Sequence, residues 1–223
     1  VTVRPVTVLV VAKAPVPGLA KTRLAATVGA DAAADVAAAA LLDTLDAVAA
    51  VPVAARVVAM TGDLDRACRS DEIRERLASF TVVPQRGVDF AERLVFAHAD
   101  TAAAAGPQPI VQIGMDTPQV SGELLARCAD VLADAQAVLG PAADGGWWVL
   151  GVRSGAMAEC LRPVPMSRPD TGALTLKALR DKGYTVSLAE ELADVDTAAD
   201  VEGVRRCCPP GSRFAAATRS AGL

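Results

Sequence analysis

The chain has 223 residues, 52% of them hydrophobic, and a formal net charge of −4. That length suits one α/β domain with a sizeable core. The acidic balance excludes a broad basic surface for duplex nucleic acid, so a nucleotide-like ligand is expected to be small and met by a local basic patch.

Five cysteines occur, at Cys68, Cys128, Cys160, Cys207 and Cys208, with no CxxC spacing. The odd number and scattered positions point to reduced thiols rather than a disulfide frame or a zinc site. The apolar run from Val6 to Ala12 is too short for a signal peptide and flows into Lys13 and Pro15. No apolar stretch reaches spanning length, so a soluble, cytoplasmic protein without a membrane partner is expected.

Val6 to Ala12 is a continuous β-branched run, the pattern of a buried parallel strand. A loop follows from Lys13 to Ala20, then a helix from Lys21 and a long Ala/Leu helix from Asp31 to Ala50. Ala54 to Met60 reads as a second strand, Asp65 to Ala78 as a charged helix and Phe80 to Pro84 as a short strand. Asp89 is placed to cap a helix running from Phe90 to Ala105. Ile110 to Gly114 forms the next strand, Ser121 to Asp134 a helix, and Ala137 to Leu139 and Trp147 to Val152 two more strands. A helix over Thr171 to Lys182, a strand over Thr185 to Leu188 and a helix over Thr197 to Arg206 complete the pattern. A single domain over residues 1–206 is expected, followed by a loosely ordered tail over 207–223. Alternating strands and helices define an α/β, Rossmann-like domain with a mostly parallel sheet and helices on both faces. Ligands of such sheets bind beyond the carboxyl ends of the strands. Lys13, Asp116 and Asp144 all follow apolar runs, at that edge.

The first loop combines Pro15, Pro17 and Gly18 with Lys13, Lys21, Thr22 and Arg23. Proline stiffens such a loop, glycine permits close backbone approach, and the cations add charge for a phosphate. The spacing is neither a Walker A nor a GxGxxG loop; an ordinary solvated loop is the competing reading. Asp116, in the Gly114 to Pro118 turn, can reach a Mg²⁺ ion whose other ligands are substrate oxygens, or can simply shape the turn. Asp144, Gly145 and Gly146 precede Trp147 and Trp148. The glycines can admit a ligand to the main chain, and Asp144 can touch metal, sugar or acceptor; a tight turn is the alternative. Adjacent strand residues face opposite ways, so at least one tryptophan is expected to be structural. Asp196 offers a second metal carboxylate, or with Thr197 caps a helix. The lone histidine, His98, lies within a helix and reads as a core or surface residue. With no GxSxG present, a Ser-His-Asp hydrolase is not supported.

In their order, these segments resemble the DUF2064 family of the GT-A, or nucleotide-diphospho-sugar transferase, superfamily. The resemblance runs from about Val6 to Val201. It rests on the basic loop from Lys13 to Leu24, the segment from Gln85 to Leu94 containing Gly87 and Arg93, Ile113 to Pro118, Gly140 to Gly146, and Asp194 to Thr197. Met166, Ser167 and Arg168 stand where the family usually has Trp-Ser-Thr; Phe90 replaces a Leu and Trp147 a Tyr. The loop and both Asp segments are also similar to the phospholactate/phosphoenolpyruvate guanylyltransferases of coenzyme F420 synthesis, but the 144–148 segment sets the chain apart from them. The resemblance implies a transferase acting on a nucleotide or nucleotide sugar and a small acceptor, with Mg²⁺ (or Mn²⁺) held by Asp116 and Asp196. Lys13, Lys21 and Arg23 would bind phosphates, with Pro17, Gly18, Thr22, Gly145 and Gly146 around the nucleotide. Lys21, Arg23 and Asp144 are the catalytic candidates. Glycosyl transfer is the first expectation, nucleotidyl transfer the second and a non-catalytic nucleotide-binding module the third.

Overall fold

The computed structural model describes residues 2–223; Val1, the first residue of the expected domain, lies outside the described residues. The strands are β1 (Arg4–Lys13), β2 (Val53–Thr61), β3 (Thr81–Pro84), β4 (Ile110–Ile113), β5 (Ala137–Pro141), β6 (Trp147–Val152) and β7 (Val186–Leu188). The helices are α1 (Thr22–Val28), α2 (Ala30–Ala49), α3 (Ser70–Leu77), α4 (Phe90–Ala105), α5 (Gly122–Val131), α6 (Thr171–Asp181), α7 (Ala198–Cys207) and α8 (Arg213–Ser220). One seven-stranded sheet has the order β3-β2-β1-β4-β6-β5-β7. β6 alone runs antiparallel, pairing with β4 on one side and β5 on the other.

The β-branched run of β1 is buried on both faces because helices cover both. Val8 and Val10 pack with Leu41, Leu45 and Leu125 from α2 and α5. Leu9 and Val11 point the other way and meet Leu94 and Val95 of α4. A third cluster joins Leu24 and Val36 to Val201, Val204 and Phe214.

Two stretches differ from the sequence expectation. The charged helix expected over Asp65 to Ala78 is split, because Arg69 takes a left-handed backbone (φ 53°) and the Cys68 N–H donates to the Pro15 carbonyl at 3.0 Å. A short 3-10 helix occupies Leu64–Arg66 and α3 starts afresh at Ser70. In the segment expected to be a loosely ordered tail, the structure has α8 docked on α2, with Phe214 fully buried. Asp43 of α2 fixes its start: its carboxylate accepts from the Ser212 hydroxyl at 2.7 Å and from the Phe214 and Arg213 N–H groups at 2.9 and 3.1 Å. No helix among the described residues is long and apolar enough to cross a membrane.

Candidate active site

The carboxyl ends of the parallel strands open into a cavity of about 440 Å³. β1 ends there in Lys13, β2 in Thr61, and β3 leads to Gln85. β4 supplies Gln112 and runs on into Gly114, Met115 and Asp116. The β5–β6 hairpin brings Ala142, Asp144, Gly146 and Trp147, and the chain after β7 brings Asp194. Antiparallel β6 begins at this same edge, which is why both ends of its hairpin reach the cavity.

The basic loop is folded onto the molecule. Ala14 and Val16 are buried, and Gly18 turns with φ +77°. The Lys13 ammonium donates to the Leu19 carbonyl at 2.8 Å, and its backbone N–H to the Met115 sulfur at 3.2 Å. Lys21 takes the left-handed region at φ 49°, a conformation uncommon outside glycine and held only where surroundings enforce it. Those surroundings are an ion pair with Asp116 at 2.9 Å and a hydrogen bond to the Val195 carbonyl. Arg23 pairs with Asp196 on the surface. The first loop is thereby tied to both acidic segments.

Of the expected site residues, Lys13, Asp116, Asp144 and Gly146 line the cavity, and Lys21 borders it through Asp116. Pro17, Gly18, Thr22, Arg23, Gly145 and Asp196 lie outside the lining. Asp194, not Asp196, is the acid of its segment that faces the cavity. Val195 between them is buried in the third cluster, and its N–H donates to the Asp116 carbonyl at 3.2 Å. The chain then turns into α7 through the Thr197–Asp200 capping box, which carries Asp196 away.

Burial raises the Asp194 carboxyl above the usual range, and the negative charges of Asp144 and Asp116 raise it further against the pull of Lys21. Three carboxylates thus crowd one rim, and a divalent cation would relieve that crowding. Among the described residues no three acids, cysteines or histidines form a ready-made cage. Asp116 and Asp194 fit instead as the two protein ligands of an ion that keeps water and substrate oxygens, the usual arrangement for Mg²⁺.

Asp144 shapes a turn and faces the cavity at once, since its carboxylate accepts the Gly146 N–H at 2.7 Å. The paired glycines admit the chain's own backbone. A Cβ on Gly145 would lie 1.8 Å from the Pro169 carbonyl oxygen, and one on Gly172 2.4 Å from the Gly146 oxygen. The Gly172 N–H donates to Gly145 at 2.8 Å, pinning the hairpin to the 166–172 segment. Trp148 is buried, its indole N–H donating to the Glu190 carbonyl at 2.9 Å, while Trp147 stays half-buried on the cavity wall. Phe90, Met166 and Arg168, at which, as at Trp147, the sequence differs from the residues expected from the resemblance, line the cavity too, as does Ser167.

His98 is fully buried on α4, and its ring nitrogen Nε2 lies 2.9 Å from the Gln112 amide oxygen. Burial depresses its pKa to about 4 despite that bond. The unfolded chain therefore takes up a proton that the folded chain refuses, so stability is expected to be flat above about pH 6.5 and to fall as pH drops toward 4. The slope from this group alone is about 1.4 kcal/mol per pH unit. Urea unfolding across that window should show His98→Leu with a shallower slope than the parent; equal slopes would refute the assignment.

The sheet and its cavity at the carboxyl edge form the nucleotide-diphospho-sugar transferase fold. The chain belongs to the DUF2064 family, described as uncharacterized proteins conserved in bacteria, whose model matches residues 44–168. That match holds Gln85, Asp116 and Asp144 but neither the basic loop nor Asp194. No curated protein matches the chain. Among solved structures, a protein provisionally described as a nucleotide-diphospho-sugar transferase from Desulfovibrio desulfuricans G20 is 25% identical. It covers 98% of this chain and 96% of its own, with a TM-score of 0.83. A 4-diphosphocytidyl-2C-methyl-D-erythritol synthase from Anaerococcus prevotii DSM 20548 is 14% identical over 90% of this chain and 94% of its own, with a TM-score of 0.59. A Mycobacterium tuberculosis H37Rv protein solved with manganese is 21% identical over 90% and 97%, with a TM-score of 0.53.

Proposed function

We propose that the chain is a divalent-metal-dependent, nucleotide-binding transferase that moves a glycosyl group from a nucleotide-diphospho-sugar to a small acceptor. The observation that carries the reading is the pair Asp116 and Asp194 on the cavity rim, with the Lys21 ammonium bonded to Asp116. Likeness to the Desulfovibrio protein over nearly the whole chain supports it. In this reading Asp116 and Asp194 hold Mg²⁺ or Mn²⁺, which offsets charge building on the departing diphosphate. Lys13 and Lys21 add positive charge from the loop side. Asp144 uses one oxygen for its turn, which leaves the other to take the proton of an acceptor hydroxyl as that oxygen attacks the anomeric carbon and the nucleoside diphosphate leaves.

Nucleotidyl transfer is the second reading, favoured by the loop cations and by the cytidylyltransferases among similar folds. There a phosphate oxygen of the second substrate attacks the α-phosphorus of a nucleoside triphosphate, and pyrophosphate leaves. Thermal unfolding with Mg²⁺ or Mn²⁺ and a panel of nucleotides separates the two. The first reading expects stabilisation by nucleotide-diphospho-sugars. A shift with triphosphates alone would favour the second, and no shift with any nucleotide would refute both.

A further inference from the structure

The acidic rim is only part of the cavity lining. Phe90, Trp147 and Met166 line the same cavity, which also carries two hydrogen-bond donor groups that the proposed metal site does not use. One is Arg93, in the first turns of α4. Its neighbour Glu92 is taken by Arg162, and Arg168, also in the cavity lining, is taken by Asp170. Arg93 itself has no carboxylate partner among the described residues and makes only a long contact, 3.5 Å, to the Gly87 carbonyl. Its charge is therefore available to a ligand.

The other donor is Gln112, the one polar side chain in the Ile110–Ile113 strand. It is only 2% exposed, yet it lines the cavity. A neutral imidazole whose Nδ1 has no partner donates through Nε2, so His98 claims the Gln112 oxygen. The amide nitrogen on the other side of the same planar group has no partner among the described residues and is left to the cavity. Unlike the enclosed Nδ1 of His98, this nitrogen is open to the cavity, so a ligand or water there can complete it. Leu9 pairs with Gln112 in the β1–β4 register, so the glutamine sits in the centre of the sheet, where repositioning is restricted.

We infer that the part of the cavity lined by Arg93 and Gln112 is the acceptor subsite, and that it takes a small acid whose carboxylate or phosphate is held by these two donors and whose apolar part lies against Phe90, Trp147 and Met166. An anionic head suits a guanidinium with an N–H donor beside it. The role as acceptor site rests on the transferase reading above; the binding chemistry does not.

The test uses the full chain without metal or nucleotide. Tryptophan fluorescence is followed during titration with phenyl phosphate, benzoate, benzyl alcohol and cytidine, Trp147 on the cavity wall being the reporter. The two acids are expected to saturate the signal, and whichever binds more tightly tells phosphate from carboxylate. Benzyl alcohol should bind at least about tenfold more weakly than the better acid. Arg93→Gln and Gln112→Leu should each weaken that acid about tenfold or more, the loss expected for a hydrogen bond to a charged group. Arg93 is half-buried on a helix, so its variant tests the site even if Gln112→Leu unfolds; Gln112→Glu is a shape-preserving second variant that should abolish acid binding. Equal binding of the alcohol, acid affinity unchanged in the variants, or no saturation by either acid overturns the inference. So does a loss of cytidine binding alone, which would make this part of the cavity a nucleobase pocket. A nucleotide-dependent thermal shift that persists when the acids fail sinks only this inference; acid binding without any nucleotide shift sinks only the transferase reading.

Discussion

Replacing Asp116 by asparagine is expected to lower metal-dependent turnover about 10³-fold, roughly 4 kcal/mol of lost transition-state stabilisation, with the fold retained. The size follows from charge. Asparagine keeps the shape and one oxygen but gives up a full negative charge in the proposed metal shell, where only Asp194 would remain. The structural cost is smaller, because the Asp116 side chain is 46% exposed and its pair with Lys21 is partly screened by solvent. Lys21 also keeps its bond to the Val195 carbonyl. Turnover of the nucleotide that passes the thermal-shift panel, measured across Mn²⁺ concentrations, is the readout. A variant that retains parental activity and metal response would remove Asp116 from the mechanism.

Gly145→Ala is expected to destabilise the protein by about 4 kcal/mol, through three separate effects. The residue sits at φ +89°, a conformation that side chains rarely adopt. Its new methyl would meet backbone, the Pro169 carbonyl, which cannot step aside like a flexible side chain. Moving the two segments apart would break the Gly172 to Gly145 hydrogen bond. For a chain of this size the melting temperature should drop by roughly 8–16 °C. Gly18→Ala is the control, since its φ is also positive but nothing lies within 4 Å of the added Cβ; the smaller its effect, the more of the Gly145 loss belongs to the contact with Pro169. A Gly145→Ala protein that melts with the parent would show that the hairpin is not pinned as described.

The strands were legible because most are buried on both faces and therefore read as unbroken apolar runs. Lys13, Asp116 and Asp144 were legible for a related reason: polar residues directly after such runs sit at the carboxyl edge. What stayed hidden depended on contacts distant in sequence. α8 has one large apolar side chain, Phe214, and owes its start to Asp43, some 170 residues earlier. The choice between Asp194 and Asp196 depended on which way the chain leaves Val195, which local sequence does not state. Gln112 carried a signal that could have been used: an amide in the middle of a buried apolar strand needs a partner, and the only histidine in the chain stands fourteen residues before it.

The reversed direction of β6 has a consequence for how such a protein can diversify. Because β5 ends and β6 begins at the same rim, residues 142–146 form a tip whose two stems are locked in the sheet and which is held from outside by the 166–172 segment and by a main-chain bridge to Leu192. Tip and segment form a paired cassette, anchored to the Leu192 stretch through main-chain atoms alone. Because that anchor does not depend on side-chain identity, tip and segment exchanged together could be transplanted between relatives without shifting the register of any strand, changing what the cavity accepts while the scaffold beneath is inherited unaltered.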